Sequence, residues 1–471
     1  VGFRWFDRFL GVISLAILAR LLDPESFGIV AMASIVVGLL DAVFDMGVHV
    51  LVLQKDDPDE DFMNSAWTLR LFQSILLGTF IAILAPFAAD YFSEPRVTNA
   101  LYVLALASVV YGFENFALVE FQKSRQFFQE FKLSSIKRIC MFIIVIILAY
   151  MLESYWALIL GTLISRMVGV FLAYWFHPVI HKISFIYMRR LFGSGKWLLF
   201  LNMLTYLCRR VNEIVVGRFF SSSILGNYTI ASEVAALPTQ ELMAPISRAL
   251  LPGFTSMKSN IEETKNLIYN SINIQASIAL PAAAGLVICA EQVVLLFLGE
   301  KWVLAGQLLT ILPFIYAAAA LRYTGEYYLI AHQKQKLLTY IALYYLGSFV
   351  AAVMYSHFYL KSLTLEFIIY ARVAIEISGI VIMWYLTSVV SGVVTIWGQI
   401  KKILRPLFAT IVMCVVLLLV GNQFANVFMD LVFRIILGAI TYTSVLSLTW
   451  LTLGKPLGLE SWVYDRVASK L

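Results

Sequence analysis

Across the 471 residues of this chain, stretches of about twenty mostly apolar residues recur, separated by short polar breaks. Each is long enough to cross the hydrocarbon layer of a bilayer. No water reaches the backbone there, and a helix satisfies every N–H and C=O within its own segment. The pattern predicts fourteen spans, at roughly 3–20, 26–50, 64–89, 99–121, 136–152, 155–177, 197–219, 225–247, 268–290, 305–331, 336–357, 363–389, 403–421 and 430–453. Composition agrees: 61% of the residues are hydrophobic and 14% are charged, where a soluble chain carries about 25% charged residues. The fold class expected is all-α integral membrane, with about 14 transmembrane helices. The first stretch has no small-residue cleavage site and reads as a span, not a signal peptide.

The charges test this count. With the N-terminus in the cytoplasm, about eighteen lysines and arginines fall on the cytoplasmic connections. Three to five fall on the other face: Arg96, Lys301 and Lys361, with Arg20 and Arg218 at helix ends. A miscount of one span would scramble that bias. It places both termini in the cytoplasm. The longest connection, about 178–196, reads PVIHKISFIYMRRLFGSGK. It is basic and aromatic, as expected of an elbow lying in the membrane interface.

The chain also repeats itself. Ala19–Ser34 reads ARLLDPESFGIVAMAS and Gly217–Ser232 reads GRFFSSSILGNYTIAS. A shift of 198 residues aligns Arg20 with Arg218, Gly28 with Gly226, and Ala33-Ser34 with Ala231-Ser232. That shift covers six spans, an even number, so both copies enter the membrane in the same direction: a parallel repeat. The division expected is a six-helix lobe over 1–177, an interfacial linker over 178–196, a second six-helix lobe over 197–389, and two further helices with a cytoplasmic tail over 390–471. Gly28 and Gly226 would let the chain turn tightly. The counterpart of Gly193-Ser194-Gly195-Lys196-Trp197 would fall before Val1, so the natural chain is expected to begin upstream.

Catalytic chemistry is hard to place. No connection is long enough to fold into a nucleotide-binding domain. Gly193-Ser194-Gly195-Lys196 lacks the upstream glycine and the following Ser or Thr of a phosphate-binding loop. Asp57-Pro58-Asp59 has the acidic spacing of a metal–nucleotide motif but no α/β domain around it. The four cysteines, Cys140, Cys208, Cys289 and Cys414, lie in apolar stretches without metal-like spacing. No cofactor, metal or nucleic acid is expected, and the chain reads as a transporter, not an enzyme. Without an ATP site, an ion gradient or the substrate's own gradient must drive it.

An ionisable residue in mid-span costs about 2.5–3.5 kcal/mol on insertion scales, so it marks a cavity or a partner. Arg166, Arg209, Arg210, Arg322 and Arg372 are expected to line a cationic cleft. A guanidinium stays charged, and its planar fork suits a phosphate. Arg209–Glu213, Arg322–Glu326 and Arg372–Glu376 share an i,i+4 spacing that puts each pair on one helix face. The same spacing also serves plain self-neutralisation. Glu114, on the fourth span, joins Glu213, Glu326 and Glu376 as a charge partner, and Arg70 lies on the third. Asp41 and Asp45, again at i,i+4, could share a proton or hold a coupling ion; Asp45 lies within about two turns of the cytoplasmic end of its span, so a helix-end or interfacial role suits it better.

The stretches LARLLDPESFGIVAMA from Leu18, DAVFDMGVHVLVLQK from Asp41, GNYTIASEVAALPTQEL from Gly226, ISRALLPGF from Ile246 and FLGEKW from Phe297 resemble the Wzx-type polysaccharide flippases of the multidrug/oligosaccharidyl-lipid/polysaccharide exporter superfamily. The colanic-acid and lipopolysaccharide repeat-unit exporters are the most similar group. The resemblance implies two six-helix lobes in a V with two extra C-terminal helices, in a bacterial inner membrane. It implies a cargo as well: an undecaprenyl-pyrophosphate-linked oligosaccharide, moved from the cytoplasmic to the periplasmic leaflet by alternating access. Partners would be that lipid-linked oligosaccharide, membrane lipids, and a polysaccharide polymerase and chain-length regulator. The family carries no strict catalytic motif to transfer. Two other readings stay open, a multidrug cation antiporter of the same superfamily and a non-transporting scaffold of a polysaccharide assembly complex.

Overall fold

The computed structural model describes residues 2–55, 57–188, 196–256, 260–361 and 363–454. Arg189, Arg190, Gly193–Gly195 and the tail from Lys455 lie outside the described residues. Among the described residues there is no strand, and fourteen helices of 17 residues or longer stand where fourteen spans are predicted. Nine are long and apolar enough to cross a membrane by that measure alone, or ten if a bent pair counts as one span.

In chain order the helices are α1 (Gly2–Leu21), α2 (Pro24–Phe44), α3 (Val48–Gln54), α4 (Glu60–Phe92), α5 (Arg96–Gly112), α6 (Ala117–Lys123), α7 (Phe127–Leu152), α8 (Trp156–Phe176), α9 (Lys196–Phe219) and α10 (Ser222–Ser256). They continue as α11 (Ile261–Ile288), α12 (Ala290–Phe297), α13 (Val303–Leu309), α14 (Leu312–Ala331), α15 (Gln335–Tyr355), α16 (Leu365–Ser391), α17 (Ile396–Val420) and α18 (Val427–Thr452). They form two compact units, Val1–Thr229 and Ile230–Leu471. In the first, α4 packs along α5, α7 and α5 along α8, α1 along α7, and α2 along α9. In the second, α11 is central, flanked by α14 and α17, with α16 on α14 and α18 on α17.

Three predicted spans break. The second ends at Phe44, where the Asp45 carboxylate accepts the Gly47 N–H at 2.9 Å and Gly47 takes a positive φ of 67°. A side chain thus replaces the next helical turn. The fourth ends at Gly112, so Glu114 sits in a bend between α5 and α6 and not inside a span. The end of α8 makes that bend possible: Tyr174 donates to the Phe113 carbonyl at 3.0 Å, and Asn115 donates to the His177 carbonyl at 2.6 Å. The tenth is bent by 44° between α13 and α14. Pro313, near the start of α14, cannot supply the N–H a continuous helix needs.

The repeated turn explains its glycines. Leu21 and Phe219 both end a helix and Pro24 and Ser222 both begin one, so the shift of 198 holds at the helix ends. Within the first unit the two turns touch reciprocally. A Cβ added to Gly28 would overlap the backbone of Ser222, and one added to Gly226 would overlap that of Pro24. Those two contacts interchange under the same shift, as in a two-fold, self-complementary interface. Either position would have to move backbone to admit any side chain. Gly28→Val or Gly226→Val should therefore cost more than the ~1–3 kcal/mol of an ordinary overpacked core and lower the unfolding temperature in detergent. Gly169→Ala, which meets open space, should leave it unchanged or higher.

After α8 the chain runs extended along the start of α4. Backbone donors that would otherwise go unpaired are taken by α4 side chains: Lys182 N–H by Asn64 Oδ1 at 2.9 Å, and Ser184 N–H by Thr68 Oγ1 at 3.0 Å. The Tyr187 hydroxyl donates to Asp59 at 3.0 Å, and Asp59 also pairs with Lys55 at 2.5 Å. His181 is buried between the rings of Trp67 and Phe116, at 6.1 and 5.7 Å, while its neighbour Ile180 is 80% exposed. Burial pushes the His181 pKa down to about 4. Because the folded state holds the ring neutral, its contribution is complete above the ordinary value of about 6.5 and is lost as pH falls through 4. The unfolding temperature should accordingly drop between pH 6.5 and pH 4, and His181→Phe should flatten that drop.

Candidate functional site

The five sequence-predicted arginines divide between the units. Arg322 and Arg372 lie in the second, on α14 and α16, with Glu326 and Glu376 on the same helices. Glu376, 2% exposed, bridges both cations: one oxygen lies 2.8 Å from Arg372 and the other 2.9 Å from Arg322. Arg322 reaches Glu326 only at 3.9 Å. Its i,i+4 partner is therefore the weaker one, and a carboxylate from a neighbouring helix takes its place. Both guanidiniums also face the ring of Tyr345 on α15, at 4.5 and 5.7 Å. Two arginines face two carboxylates, so the cluster is formally neutral.

In the first unit the balance differs. On α9, Arg209 and Arg210 are exposed. Glu213 pairs with Arg210 at 2.8 Å, an i,i+3 contact, and not with Arg209 as the spacing predicts. Both arginines lie about one turn from that carboxylate, and the ion pair goes to the nearer in sequence. Tyr206, one turn earlier, donates to the Ile35 carbonyl of α2 at 2.9 Å. Asp41 is within electrostatic reach of Asp45 and Arg166.

Arg166 on α8 has no carboxylate within ion-pair distance among the described residues. Its guanidinium lies 4.0 Å from the ring centre of Tyr111 on α5, and Arg70 of α4 lies 4.5 Å from the same ring. Glu114 is shared between Lys137 of α7 at 2.5 Å and Arg70 at 4.0 Å. Sequence reading singles out Arg166 and Glu114, names Arg70 only in passing, and misses Lys137 and Tyr111. The four helices converge only in three dimensions. The one local sign is that Lys137 and Arg138 lie where α7 turns from polar to apolar.

Residues 17–306 match the family described as polysaccharide biosynthesis protein, and the chain belongs to that family. It is 24% identical to the lipopolysaccharide biosynthesis protein WzxC of Escherichia coli (strain K12), over 67% of this chain and 65% of that protein. It is 22% identical to the teichuronic acid biosynthesis protein TuaB of Bacillus subtilis (strain 168), over 58% of this chain and 57% of the relative. The matches thus span less than two thirds of these relatives' lengths. Among solved structures, the fold is similar to the lipid II flippase MurJ in an inward closed conformation, with TM-score 0.72, 14% identity, and coverage of 96% of this chain and 98% of that one. It is also similar to an inward-facing multidrug resistance MATE family transporter, with TM-score 0.66, 14% identity, and coverage of 82% and 94%.

The bridging carboxylate in the second unit makes a clear prediction. Glu376→Gln would remove the carboxylate charge that two largely buried guanidiniums share, and removing one partner of a buried pair costs about 3–5 kcal/mol. The purified variant should unfold at a markedly lower temperature than wild type, while Glu376→Asp, which keeps the charge, should recover most of the loss.

Proposed function

We propose that the protein flips undecaprenyl-pyrophosphate-linked oligosaccharide repeat units from the cytoplasmic to the periplasmic leaflet of a bacterial inner membrane, by alternating access, for exopolysaccharide, O-antigen or capsule biosynthesis. The observation that carries this reading is the set of cations on membrane-spanning helices of the first unit. Arg166, Arg209 and Arg210 are exposed on α8 and α9, with Glu213 taking up Arg210. An exposed guanidinium on a span lines a polar path and attracts an anion. Such a lining would repel a cationic drug, which separates this reading from the antiporter that shares the fold. WzxC and the lipid II flippase support it by family and by fold.

In this reading both termini are cytoplasmic, the protein moves its cargo without chemical conversion, and Asp41 and Asp45 are candidates for coupling to an ion. Arg322 and Arg372 bind the cargo only if it displaces Glu326 or Glu376. Otherwise they are structural. A polysaccharide polymerase and a chain-length regulator would act on the delivered unit.

Arg209→Ala with Arg210→Ala, reconstituted in proteoliposomes, should lose at least 90% of the flipping rate of a labelled polyprenyl-pyrophosphate glycan, with insertion unchanged. Normal rates in that double variant would remove these arginines from the path. Export of a cationic dye in place of the glycan lipid would turn the assignment to drug transport.

A further inference from the structure

The charge at Tyr111 is not explained by packing. Arg70 and Arg166 both lie on its ring, so their guanidinium carbons are at most about 8.5 Å apart, the two ring distances of 4.5 and 4.0 Å laid end to end. Lys137 stands against Glu114, which also faces Arg70. Arg70 and Lys137 thus share Glu114, while Arg166 has only Asp41 within electrostatic reach, outside ion-pair distance, so three cations face two carboxylates in a site where Arg70, Lys137 and Glu114 are largely buried and Arg166 and Tyr111 are open. Arg70 and Arg166, held within this distance on one ring, repel one another, and an anion between them would offset that repulsion. A tyrosine face relieves part of that repulsion, but it carries no formal charge.

We propose that Arg70, Lys137 and Arg166, arranged around Tyr111, form a diphosphate-loading site in the first unit. This rests on the flippase reading above and names where that cargo's head group is first held. Arg70 and Arg166 are each ten residues from an end of their helix, Glu60 and Phe176, or about 15 Å at 1.5 Å per residue. In the proposed orientation those are the cytoplasmic ends, so the site lies in the half of the membrane from which the cargo enters. Two guanidinium forks at this spacing can each take one phosphate of a linked pair, with Lys137 as a third donor. Glu114 then acts as a placeholder: it occupies Lys137 when no anion is bound and competes with the incoming phosphate. The Arg322–Arg372 cluster offers no such vacancy, because Glu376 already spans its two cations.

The test uses the full chain in nanodiscs, with inorganic pyrophosphate as the probe, titrated calorimetrically at low salt. Wild type should bind it. Arg70→Gln and Arg166→Gln should each weaken binding at least tenfold, Arg166→Lys should weaken it less, and Lys265→Gln, a surface ion-pair change in the other unit, should have no effect. Glu114→Gln should tighten binding several-fold, a gain that a purely structural carboxylate would not give. No pyrophosphate binding by wild type, equal binding by the Arg70→Gln/Arg166→Gln pair, or weaker binding in Glu114→Gln would each overturn the site. Flipping of a polyprenyl-pyrophosphate glycan is measured alongside. If wild type and the paired variant flip equally, the loading site falls and the flippase reading stands. If pyrophosphate binding follows the pattern above but no glycan lipid moves, the site stands and the flippase reading falls.

Discussion

A guanidinium carried into the hydrocarbon layer must meet a carboxylate, an aromatic face or water, because nothing else there offsets its lost hydration. Much of the polar architecture of this protein follows from that one demand. In the second unit the answer is a carboxylate: Glu376 is sunk between Arg322 and Arg372 and holds α14 and α16 in register. The same solution closes the last helix pair. Asp430 takes Arg434 at 2.8 Å and the Gln423 N–H at 2.9 Å, and Arg434 reaches Asn422, so the α17–α18 connection is tied down by a buried ion pair. In the first unit the answer at Arg166 is the face of Tyr111 and an open surface, which leaves the charge available.

The second demand is close backbone approach. Long apolar helices hold together in a bilayer through packing and not through expulsion of water, so small residues decide where they touch. The reciprocal contact of Gly28 with Ser222 and Gly226 with Pro24 is the tightest expression of this, and it joins the two copies of the repeated turn inside one compact unit. The α4–α5 turn fastens the same place. Arg96 forks onto Glu94 at 2.7 and 2.8 Å and also contacts Glu25, and Arg218 donates to the Tyr91 carbonyl at 2.7 Å. Arg96 pulls the Glu94 carboxyl below its ordinary value, with a smaller contribution from the Ser222 hydroxyl. Arg20 and Arg218 align in the repeat, and in the second copy this arginine reads out as a clamp on a neighbouring helix end.

The spans were legible because length and apolarity are properties of the chain alone. Their breaks were less so. The stop at Phe44 depends on Asp45 folding back to Gly47, a local signal that apolar continuity through Val48–Val52 conceals. The stop at Gly112 depends on Tyr174 and Asn115, which meet only after α8 has packed against α5. The ionic pairs divide in the same way. Arg372–Glu376 follows from i,i+4 spacing, but the closer partner of Arg322 comes from another helix, and Glu213 had two arginines within one turn. Lys137 could not be assigned at all, since its partner Glu114 is 23 residues away across a bend the pattern did not show. The extended run after α8 likewise owes its conformation to Asn64, Ser65 and Thr68, polar residues that look unremarkable at the head of a long apolar helix.

The two arginine clusters do not repeat one another: Tyr111 lies on the fourth predicted span, whereas Tyr345 lies on the eleventh. What differs between them as well is the counter-charge. Glu376 stands four residues after Arg372, where Val170 stands four after Arg166; under the shift of 198, Arg372 and Glu376 themselves fall on Tyr174 and Pro178, so the pair has no counterpart in the first copy. The Arg322–Arg372 cluster of the second unit is neutral and largely buried, which suits a rigid scaffold. In the first unit Arg166 lies on an open face with no carboxylate within ion-pair distance among the described residues and Asp41 only within electrostatic reach. A carboxylate one helical turn on, present after Arg372 and absent after Arg166, is thus the local difference between a closed ion pair and a guanidinium open to its surroundings.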